Sequence, residues 1–407
     1  MICGLLGRTL GHSYSPQIHS HLGNYTYNLF EKEPEQLEDF LLHGEFDGIN
    51  VTIPYKKDVL PYCDELTPIA RKLGSVNTII RRKDGTLLGH NSDYFGFSFM
   101  VERTGLTVTG KKVLVLGTGG AAVTVCAVLN ALRAHVVQIS RSGQNHYGNL
   151  DLHKDAAVIV NATPVGMYPK NDNAPLDLCA FPHLEGVLDL IYNPARTRLL
   201  QQAESLGLKA ENGLWMLVAQ AYESARLFTE KDLPAELIKR IYNQLSSDMK
   251  NIILIGMPGC GKSTIGALLS GSTGKAFIDS DTEIEKEAGI TVAEYFAQYG
   301  EASFRALESK VLSRICKESS CIIATGGGCV TRPENYIPLH QNATVIWINR
   351  CLSFLPTNGR PLSQKTSAEE MFRIRKPMYE RFADMCVNNT TPEETADKIL
   401  SLIHGGA

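Results

Sequence analysis

The segment 252–264 of this chain carries residues that are suited to binding phosphate. Four apolar residues come first, and the spacing Gly256-x-x-x-x-Gly261-Lys262-Ser263 follows them without a gap. Glycines let backbone N–H groups surround an anion, Lys262 adds a positive charge, and Ser263 offers a hydroxyl to Mg²⁺. The helix expected next would point its positive N-terminal end at the same anion. The pattern predicts an ATP-binding loop formed by Gly259, Cys260, Gly261, Lys262, Ser263 and Thr264.

Carboxylates and arginines follow this loop in the sequence. Asp279 and Asp281 end an apolar stretch two positions apart, which puts both on the same side of a strand end. An Asp-x-Asp pair is most often a cap or a turn, whereas a contact with a metal or a hydroxyl is favoured beside a phosphate loop. Further along come Arg305, the glycine run 326–328, Arg360 and Arg375. Bare glycine backbone at the end of a buried strand allows a ligand to approach closely.

Polar residues also end successive strands in the first half of the chain. Lys56 stands just past the alternating stretch 49–53, and Asp93 follows a later strand. For any one of these residues a loop or cap role is the simpler interpretation, but open α/β sheets bind ligands at this edge. Their recurrence therefore favours a binding site. A lysine poised against a carboxylate could give a proton to a carbonyl and stabilise its oxygen while a hydride arrives.

Residues 111–122 are typical of a strand followed by Gly117-x-Gly119-x-x-Ala122, the spacing that binds dinucleotides. The next predicted strand, 135–139, leads to Arg141. An acidic residue there would bind the ribose 2′-hydroxyl of NAD, whereas arginine accommodates the 2′-phosphate of NADP. A solvated surface charge is the alternative interpretation of Arg141. The pattern favours NADPH.

The length and the composition of the chain limit the architectures that could position these residues. The 407 residues include 43% hydrophobic and 20% charged side chains, which is ordinary for a globular protein of two or three domains. Short apolar runs alternate with helical stretches, so we expect an α/β fold. Leu233, Leu237, Ile241 and Leu245 recur every four residues and predict one helix face. A polar linker, 246–250, should follow that helix.

Charge and cysteine content narrow the class of protein. A net charge of −3 gives no indication of the excess of positive charge that is typical of nucleic-acid-binding proteins. The first residues lack a signal-peptide pattern, and no apolar run reaches the ~18 residues of a membrane span. The ten cysteines are scattered, without a zinc or disulfide pattern. We therefore expect a cytoplasmic protein with neither a membrane nor a nucleic-acid partner.

Ordered segments in the first 245 residues resemble the shikimate dehydrogenase family: GRTLGHSYSP, GINVTIPYK, SVNT, GHNSD, NATPVGM, DLIYNP and GLWMLVAQA. The resemblance implies an α/β substrate domain and a Rossmann domain that binds NADPH, with Lys56 and Asp93 as the catalytic pair. It also implies that 3-dehydroshikimate is held by Ser13, Ser15, Thr52, Asn77, Tyr192 and Gln220. The implied nucleotide contacts are Gly117, Gly119, Gly120, Ala121, Arg141, Thr163, Gly213 and Met216.

Residues 250–405 resemble the shikimate kinase family through the phosphate loop, the two aspartates, the glycine run and the arginines. This resemblance implies a P-loop domain of the NMP-kinase type with a parallel sheet. Lys262 and Ser263 would serve ATP and Mg²⁺, with Asp279 supporting the metal. Asp281 would be the base, and Arg360 would stabilise charge on the transferring phosphoryl group. The implied shikimate contacts are Asp281, Arg305, Gly326, Gly327, Gly328 and Arg375.

The two resemblances name consecutive steps around one intermediate, shikimate. We therefore expect a bifunctional enzyme of aromatic amino acid biosynthesis, a monomer or homodimer, with halves 1–247 and 248–407. In the first half, the substrate part would span about 1–100 and 225–247, and the nucleotide part about 101–224. One alternative is an NAD-dependent quinate/shikimate dehydrogenase fused to a kinase-like domain. The other makes one half a non-catalytic ligand sensor.

Overall fold

The computed structural model describes residues 1–11, 13–355 and 367–404. Arg360, the residue predicted to stabilise the transferring phosphoryl group, lies outside the described residues. The chain forms two compact units. The first contains Met1–Tyr192 and Leu199–Ser246, and the second contains Asn193–Arg198 and Ser247–Ala407.

The first unit opens with a six-stranded mixed sheet. Its strands are β1 (Ile2–Gly7), β2 (Thr26–Glu31), β3 (Gly48–Val51), β4 (Glu65–Leu66), β5 (Thr78–Arg81) and β6 (Leu87–His90). They lie in the order β2-β1-β3-β5-β6-β4, and β5 runs antiparallel to both of its neighbours. Strand β3 stops at Val51, two residues earlier than expected, because Pro54 has no N–H to extend the ladder.

The second sheet of this unit is five-stranded and entirely parallel. Its strands are β7 (Lys112–Leu116), β8 (His135–Ile139), β9 (Val158–Asn161), β10 (Gly186–Asp189) and β11 (Lys209–Glu211). They lie in the order β11-β10-β9-β7-β8. The central strands are apolar along almost their whole length because both faces of a parallel sheet are covered.

Eight helices accompany the two sheets in the described part of this unit. They are α1 (Ser15–Ser20), α2 (Leu37–His43), α3 (Pro68–Leu73), α4 (Asp93–Thr104), α5 (Gly120–Ala131), α6 (Arg198–Ser205), α7 (Leu214–Thr229) and α8 (Glu236–Met249). Helices α4 and α7 pack closely at Gly96, where a side chain would lie 2.7 Å from the Met216 carbonyl oxygen. The glycine therefore lets two helices that carry predicted site residues pack closely together.

The second unit has one five-stranded parallel sheet. Its strands are β12 (Asn251–Ile255), β13 (Ala276–Asp279), β14 (Cys321–Ala324), β15 (Ala343–Asn349) and β16 (Met385–Asn388), in the order β13-β14-β12-β15-β16. The helices are α9 (Lys262–Thr273), α10 (Ser280–Ala288), α11 (Val292–Ile315), α12 (Tyr336–His340), α13 (Ala368–Phe382) and α14 (Pro392–His404). Strand β12 is buried throughout and leads directly into the phosphate loop. The predicted α/β class, with a parallel P-loop sheet, is confirmed.

The predicted linker 246–250 is wrong in its local structure, because α8 continues through Met249. Met249 is 4% exposed, so an apolar anchor prolongs the helix past the polar residues. The Lys275 Nζ donates to the carbonyls of Ser247, Asp248 and Lys250 at 3.0, 2.7 and 3.0 Å. A cation that accepts no bond itself and donates to three carbonyls stabilises the C-terminal end of the helix. The predicted apolar face is present at Ile241 and Leu245, but Leu233 precedes the helix.

All ten cysteines are free thiols. Cys260 and Cys329 are completely buried, and burial raises the pKa of the Cys329 thiol to about 12. Such thiols behave as small apolar core residues. Within the described ranges, no helix combines the length and the apolar character needed to cross a membrane.

Candidate active sites

Lys56 and Asp93 form an ion pair in the first unit. Lys56 Nζ lies 2.6 Å from Asp93 Oδ2, and the two side chains are 29% and 13% exposed. Asp93 is the first residue of α4, where the positive end of the helix stabilises a carboxylate. A partly exposed ammonium group that a carboxylate holds in place can present a proton to a bound ligand.

Two adjacent residues, Val76 and Asn77, hold the backbone on both sides of this pair. The Val76 N–H donates to the Lys56 carbonyl at 2.8 Å. Asn77 Oδ1 accepts from the backbone N–H of Ser92 at 2.7 Å, immediately before Asp93. One short segment thus sets the separation of the lysine and the aspartate, although they stand far apart in the sequence.

Asn77 and Gln220, both predicted to bind substrate, belong to one polar cluster. Asn77 is 3% exposed, and Ser92 is completely buried. Ser92 Oγ lies 3.3 Å from Asn77 Oδ1 and 3.4 Å from Gln220 Oε1. Ser92 therefore links the two predicted substrate residues, which come from different ends of the first unit.

The other predicted substrate residues lie on loops. Ser13 Oγ accepts from the Ser15 backbone N–H at 3.2 Å, which orders the entry to α1. Tyr14, between them, meets the Tyr192 ring edge to face with centroids 6.1 Å apart. Burial raises the pKa of the Tyr192 hydroxyl, so it stays protonated and can donate a hydrogen bond. Thr52 directly follows β3.

The dinucleotide loop joins β7 to α5. Gly117 has a φ of 109°, and a side chain there would lie 3.0 Å from Thr163 Cγ2, so the two predicted cofactor residues are in contact. A methyl group added at Gly119 or Gly120 would meet no described atom within 4 Å beyond its immediate neighbours. Open space before the N-terminus of a 12-residue helix suits a pyrophosphate.

The remaining cofactor candidates frame this loop. Ala121 is the second residue of α5, and Arg141 is exposed just beyond β8. Gly213 is the N-cap of α7, and Met216 lies on the first turn of that helix. A side chain at Gly213 would collide with the Leu190 carbonyl, so glycine allows the helix to start against the end of β10.

The phosphate loop of the second unit has the backbone that its glycines predict. Gly259 and Gly261 have φ values of 82° and 101°, which residues with a Cβ rarely adopt. Lys262 is 7% exposed, and its Nζ donates to the Gly256 and Met257 carbonyls at 3.0 Å each. The ammonium group is thereby tethered inside the loop. Cys260 is buried and Thr264 is exposed on the following helix.

Ser263 and Asp279 offer oxygen ligands side by side. Ser263 Oγ donates to Asp279 Oδ2 at 2.6 Å, while Asp279 Oδ1 caps α10 by accepting from the Asp281 backbone N–H at 3.0 Å. Asp279 thus combines the cap role and the polar-contact role that the sequence left open. Such oxygens suit Mg²⁺. In the described part of the chain, no cluster of three His, Cys, Asp or Glu could hold a metal unaided. A metal here would need phosphate oxygens as further ligands.

Acidic and basic side chains converge on the glycine run. Arg305 Nη1 lies 2.7 Å from Glu308 Oε2, and Glu308 is completely buried. A side chain at Gly326 would lie 2.6 Å from Glu308 Oε1 and 2.9 Å from Asp281 Oδ1. A side chain at Gly328 would collide with the Arg305 guanidinium. The glycines are therefore required for these charges to approach the backbone.

Asp281 has an electrostatic environment suited to accepting a proton. Desolvation by the cavity walls and the nearby Asp279 raise the pKa of the Asp281 carboxyl, while Lys262 and Arg305 oppose that shift. Burial also raises the pKa of Glu308, against the opposing effect of Arg305. Among the described residues, Arg305 Nε and Glu308 Oε1 are buried without a hydrogen-bond partner. A polar ligand would satisfy groups of this kind.

A cavity of about 710 Å³ joins the phosphate loop to these charged residues. Arg375 lines it and donates to the Gly327 carbonyl at 3.1 Å, and the Tyr379 hydroxyl donates to the same oxygen at 2.6 Å. One cavity is therefore lined by the predicted ATP-loop residues, except Cys260, and by the predicted carboxylate-binding arginines. Its volume is sufficient for small ligands.

Two polar residues at this site were missed from the sequence. Glu308 stands three positions after Arg305 on α11, and that helical spacing was the available signal. Asn389 is 8% exposed, and its Nδ2 donates to the Cys260 carbonyl of the phosphate loop at 2.6 Å. No local pattern indicated Asn389, because the contact spans 129 residues.

Comparison with known protein families assigns both units. The model described as shikimate dehydrogenase substrate binding domain matches residues 5–79, and the one described as shikimate 5'-dehydrogenase C-terminal domain matches 213–241. The shikimate kinase model matches residues 258–404. The NADP(+) shikimate dehydrogenase of Clostridium beijerinckii is 33% identical over 270 residues, which cover 61% of this chain and 98% of that protein.

Solved structures lead to the same dehydrogenase family. A chorismate mutase/shikimate 5-dehydrogenase fusion protein from Clostridium acetobutylicum is 36% identical with a TM-score of 0.57, covering 60% of this chain and 96% of that one. Shikimate 5-dehydrogenase from Thermus thermophilus, solved with NADP(H) and shikimate, is 29% identical with a TM-score of 0.55, covering 60% and 99%. The chain therefore belongs to the shikimate dehydrogenase family and carries a shikimate kinase domain in its C-terminal part.

Proposed function

We propose that the chain catalyses two consecutive reactions of aromatic amino acid biosynthesis. The first is NADPH-dependent reduction of 3-dehydroshikimate to shikimate, and the second is ATP-dependent phosphorylation of shikimate to shikimate 3-phosphate. The observation that carries the proposal is the presence, in one chain, of both family matches, which name the same compound. The product of the first reaction is the substrate of the second.

In the reduction, Lys56 acts on the ketone oxygen of the substrate. NADPH supplies the hydride to the carbonyl carbon when it is bound, and the oxygen takes up one proton to become the 3-hydroxyl. The Lys56 ammonium donates a hydrogen bond to that oxygen, stabilises its developing charge and gives it the proton. Asp93, 2.6 Å away, keeps the ammonium in position and balances its charge. Ser13, Ser15, Thr52, Asn77, Tyr192 and Gln220 hold the carboxylate and the hydroxyls of the substrate.

NADP is the cofactor that the relatives favour. The related shikimate dehydrogenases of Clostridium beijerinckii and Methanosarcina barkeri carry NADP(+) in their names, and Arg141 is suited to a 2′-phosphate. An NAD-dependent quinate/shikimate dehydrogenase remains the second candidate, because quinate dehydrogenase from Corynebacterium glutamicum was solved with NAD and is 27% identical, with a TM-score of 0.52. The ratio of kcat/KM for NADPH and NADH separates the two.

In the phosphoryl transfer, Asp281 accepts the proton of the shikimate 3-hydroxyl. Arg305 and Arg375 bind the shikimate carboxylate, and Lys262 binds the phosphates of ATP. Ser263 and Asp279 would hold Mg²⁺, which, when bound, neutralises charge on the phosphates. The outcome is an O–P bond to shikimate, with ADP as leaving group.

We also propose that the halves 1–247 and 248–407 fold separately, as a cytoplasmic monomer or homodimer in the intact chain. Free thiols throughout suit a reducing compartment. Because α8 runs to Met249, separate pieces should overlap, as 1–249 and 246–407. The proposal predicts that each piece keeps its own activity. Aggregation of either piece would show that the two units depend on one another.

Coupled turnover tests the proposed function. Purified protein is incubated with 3-dehydroshikimate, NADPH and ATP-Mg²⁺, and the products are followed by mass spectrometry. Shikimate should form with NADPH alone, and shikimate 3-phosphate should appear only when ATP is added. If one step fails with every cofactor, the corresponding half is a ligand sensor rather than an enzyme.

A further inference from the structure

We propose that Ser224, on helix α7, is a positioning residue for the ketone-reducing site; the proposal rests on the function proposed for that site. Ser224 is completely buried. It lies at the point where the first part of the unit and α7 share hydrogen bonds, one turn after the predicted substrate residue Gln220. A serine in the middle of a helix carries no sequence signal of such a role.

Four polar groups surround the Ser224 hydroxyl. Its Oγ lies 3.0 Å from the Gln220 carbonyl oxygen, 2.7 Å from Asn50 Nδ2, 3.0 Å from Ser92 Oγ and 3.1 Å from Thr78 Oγ1. All four partners belong to residues that are buried or half-buried. No solvent is available to replace a lost bond at this place, so each contact carries its full desolvation cost.

The number of protons assigns a direction to two of these bonds. A hydroxyl donates once and accepts twice, and an amide N–H can only donate. Ser224 donates to the Gln220 carbonyl and accepts from Asn50 Nδ2. Thr78 Oγ1 has its own acceptor in Asn77 Oδ1 at 3.0 Å. The second lone pair of Ser224 faces the hydroxyls of Ser92 and Thr78, which also lie 3.2 Å from each other, so the three hydroxyls form one connected cluster.

This arrangement fixes Ser92, which in turn fixes two functional neighbours. Ser92 immediately precedes Asp93, and its backbone N–H is held by Asn77. Its hydroxyl also lies 3.4 Å from Gln220 Oε1. Ser224 therefore acts on the reaction through residues that place Asp93 and orient the Gln220 side chain, without needing to touch the substrate itself.

The same hydroxyl extends the network towards the N-terminal loop. Asn50, held by Ser224, accepts from the Tyr27 hydroxyl at 2.8 Å. Tyr27 in turn shares a side-chain hydrogen bond with Ser15, another predicted substrate residue. Removal of the Ser224 hydroxyl should thus disturb predicted substrate residues at both ends of the substrate site. Among the residues that the structure describes, the nucleotide loop makes no hydrogen bond with this hydroxyl and should be unaffected.

The test compares Ser224→Ala with the matched control Thr229→Ala. Thr229 makes the same kind of bond on the same helix, from Oγ1 to the Ala225 carbonyl at 2.7 Å. Steady-state kinetics are measured for 3-dehydroshikimate and for NADPH, with shikimate phosphorylation by the same chain as a folding control. For Ser224→Ala we expect kcat/KM for 3-dehydroshikimate to fall about tenfold or more, while the KM for NADPH and the kinase rate stay within about twofold.

Two further variants keep the result decisive. Ser224→Cys, which retains a weak acceptor of similar size, should recover part of the loss. The double variant Asn50→Ala/Ser224→Ala should lose no more than the worse single variant, since both break one network. The proposal is overturned if Ser224→Ala matches Thr229→Ala, if the KM for NADPH rises equally, or if the double variant is additive.

Discussion

The Nζ of Lys56 and the Oδ2 of Asp93 are 2.6 Å apart, on side chains that remain 29% and 13% exposed. This contact joins the residue beyond β3 to the first residue of α4 and creates the one charged pair expected to act on the ketone. We predict that Lys56→Ala and Asp93→Asn each lower reductase kcat/KM by about a hundredfold or more, the range for loss of a positioned acid. Phosphorylation of added shikimate should stay near the wild-type rate. Reduction within about threefold of wild type in either variant would remove that residue from the catalytic pair.

Cofactor choice should depend on Arg141. In Arg141→Asp, a carboxylate would repel the 2′-phosphate and accept from a free 2′-hydroxyl, so the ratio of kcat/KM for NADPH to that for NADH should fall about tenfold or more. Arg133→Asp is the matched control, because Arg133 is also exposed but precedes β8 instead of following it. Equal ratios in the two variants would mean that Arg141 is a surface charge.

Shikimate binding to the kinase should depend on Glu308. In Glu308→Ala, Arg305 loses its buried partner at 2.7 Å and is free to leave the glycine run, so the KM for shikimate should rise about tenfold. The amide of Glu308→Gln can still accept from Arg305 and should restore most of the affinity. Glu301→Ala is the control, since Glu301 lies 3.5 Å from the same guanidinium with a 53% exposed side chain. A KM change in the Glu301 variant as large as that in Glu308→Ala would contradict the positioning role.

Nucleotide affinity should depend on Asn389. Its Nδ2 holds the Cys260 carbonyl at 2.6 Å, and its Oδ1 accepts from Thr395 at 3.1 Å, so Asn389→Ala loosens the phosphate loop. We expect the KM for ATP to rise about fivefold, the value of roughly 1 kcal/mol for one buried hydrogen bond, with the KM for shikimate unchanged. Asn388→Ala, an exposed neighbour, serves as control. A parallel rise in both Michaelis constants would instead indicate general loosening of the unit.

His19 should make the first unit sensitive to acid. The residue is 1% exposed, it stacks on Tyr27 at 4.0 Å, and burial lowers the pKa of its imidazole from 6.5 to about 3. Because the folded-state pKa is below the unfolded one, the unfolded state binds the proton first. The contribution of His19 to the free energy of unfolding is therefore present above about pH 6.5. It decreases as the pH falls towards 3, by ~1.4 kcal/mol per pH unit.

The measurement uses His19→Phe, which keeps an aromatic ring in the stack but cannot titrate. Both chains carry Trp347→Phe, so that Trp215 alone reports urea unfolding of the first unit. Between pH 6.5 and 4.5 the free energy of unfolding of the parent should fall by ~2.3 kcal/mol more than that of the His19→Phe variant. Equal pH slopes would show that His19 is not the group responsible.

The motifs expected to carry the chemistry can be recognised in the sequence because the geometry of each is set by residues that are close together in the chain. Lys262 and Ser263 stand where a strand, a glycine turn and a helix follow each other directly, and backbone sterics fix such a unit over a dozen residues. Lys56, Asp93 and Arg141 were predicted in the same way, from their positions just beyond predicted strands. The α/β class followed from the alternation of apolar runs and helical stretches. Each of these inferences used residues close together in the chain.

Contacts between residues far apart in the sequence could be identified only from the tertiary structure. The contact between Ser224 and Asn50 spans 174 residues, and nothing near either residue indicates the other. The extension of α8 to Met249 goes with the burial of that side chain and with the Lys275 contact to the last carbonyls, neither of which the polar sequence of the expected linker indicates. Buried polar groups must find partners wherever the fold brings them together. Sequence spacing therefore determined which groups could react, while packing decided which of them are held in place and by what.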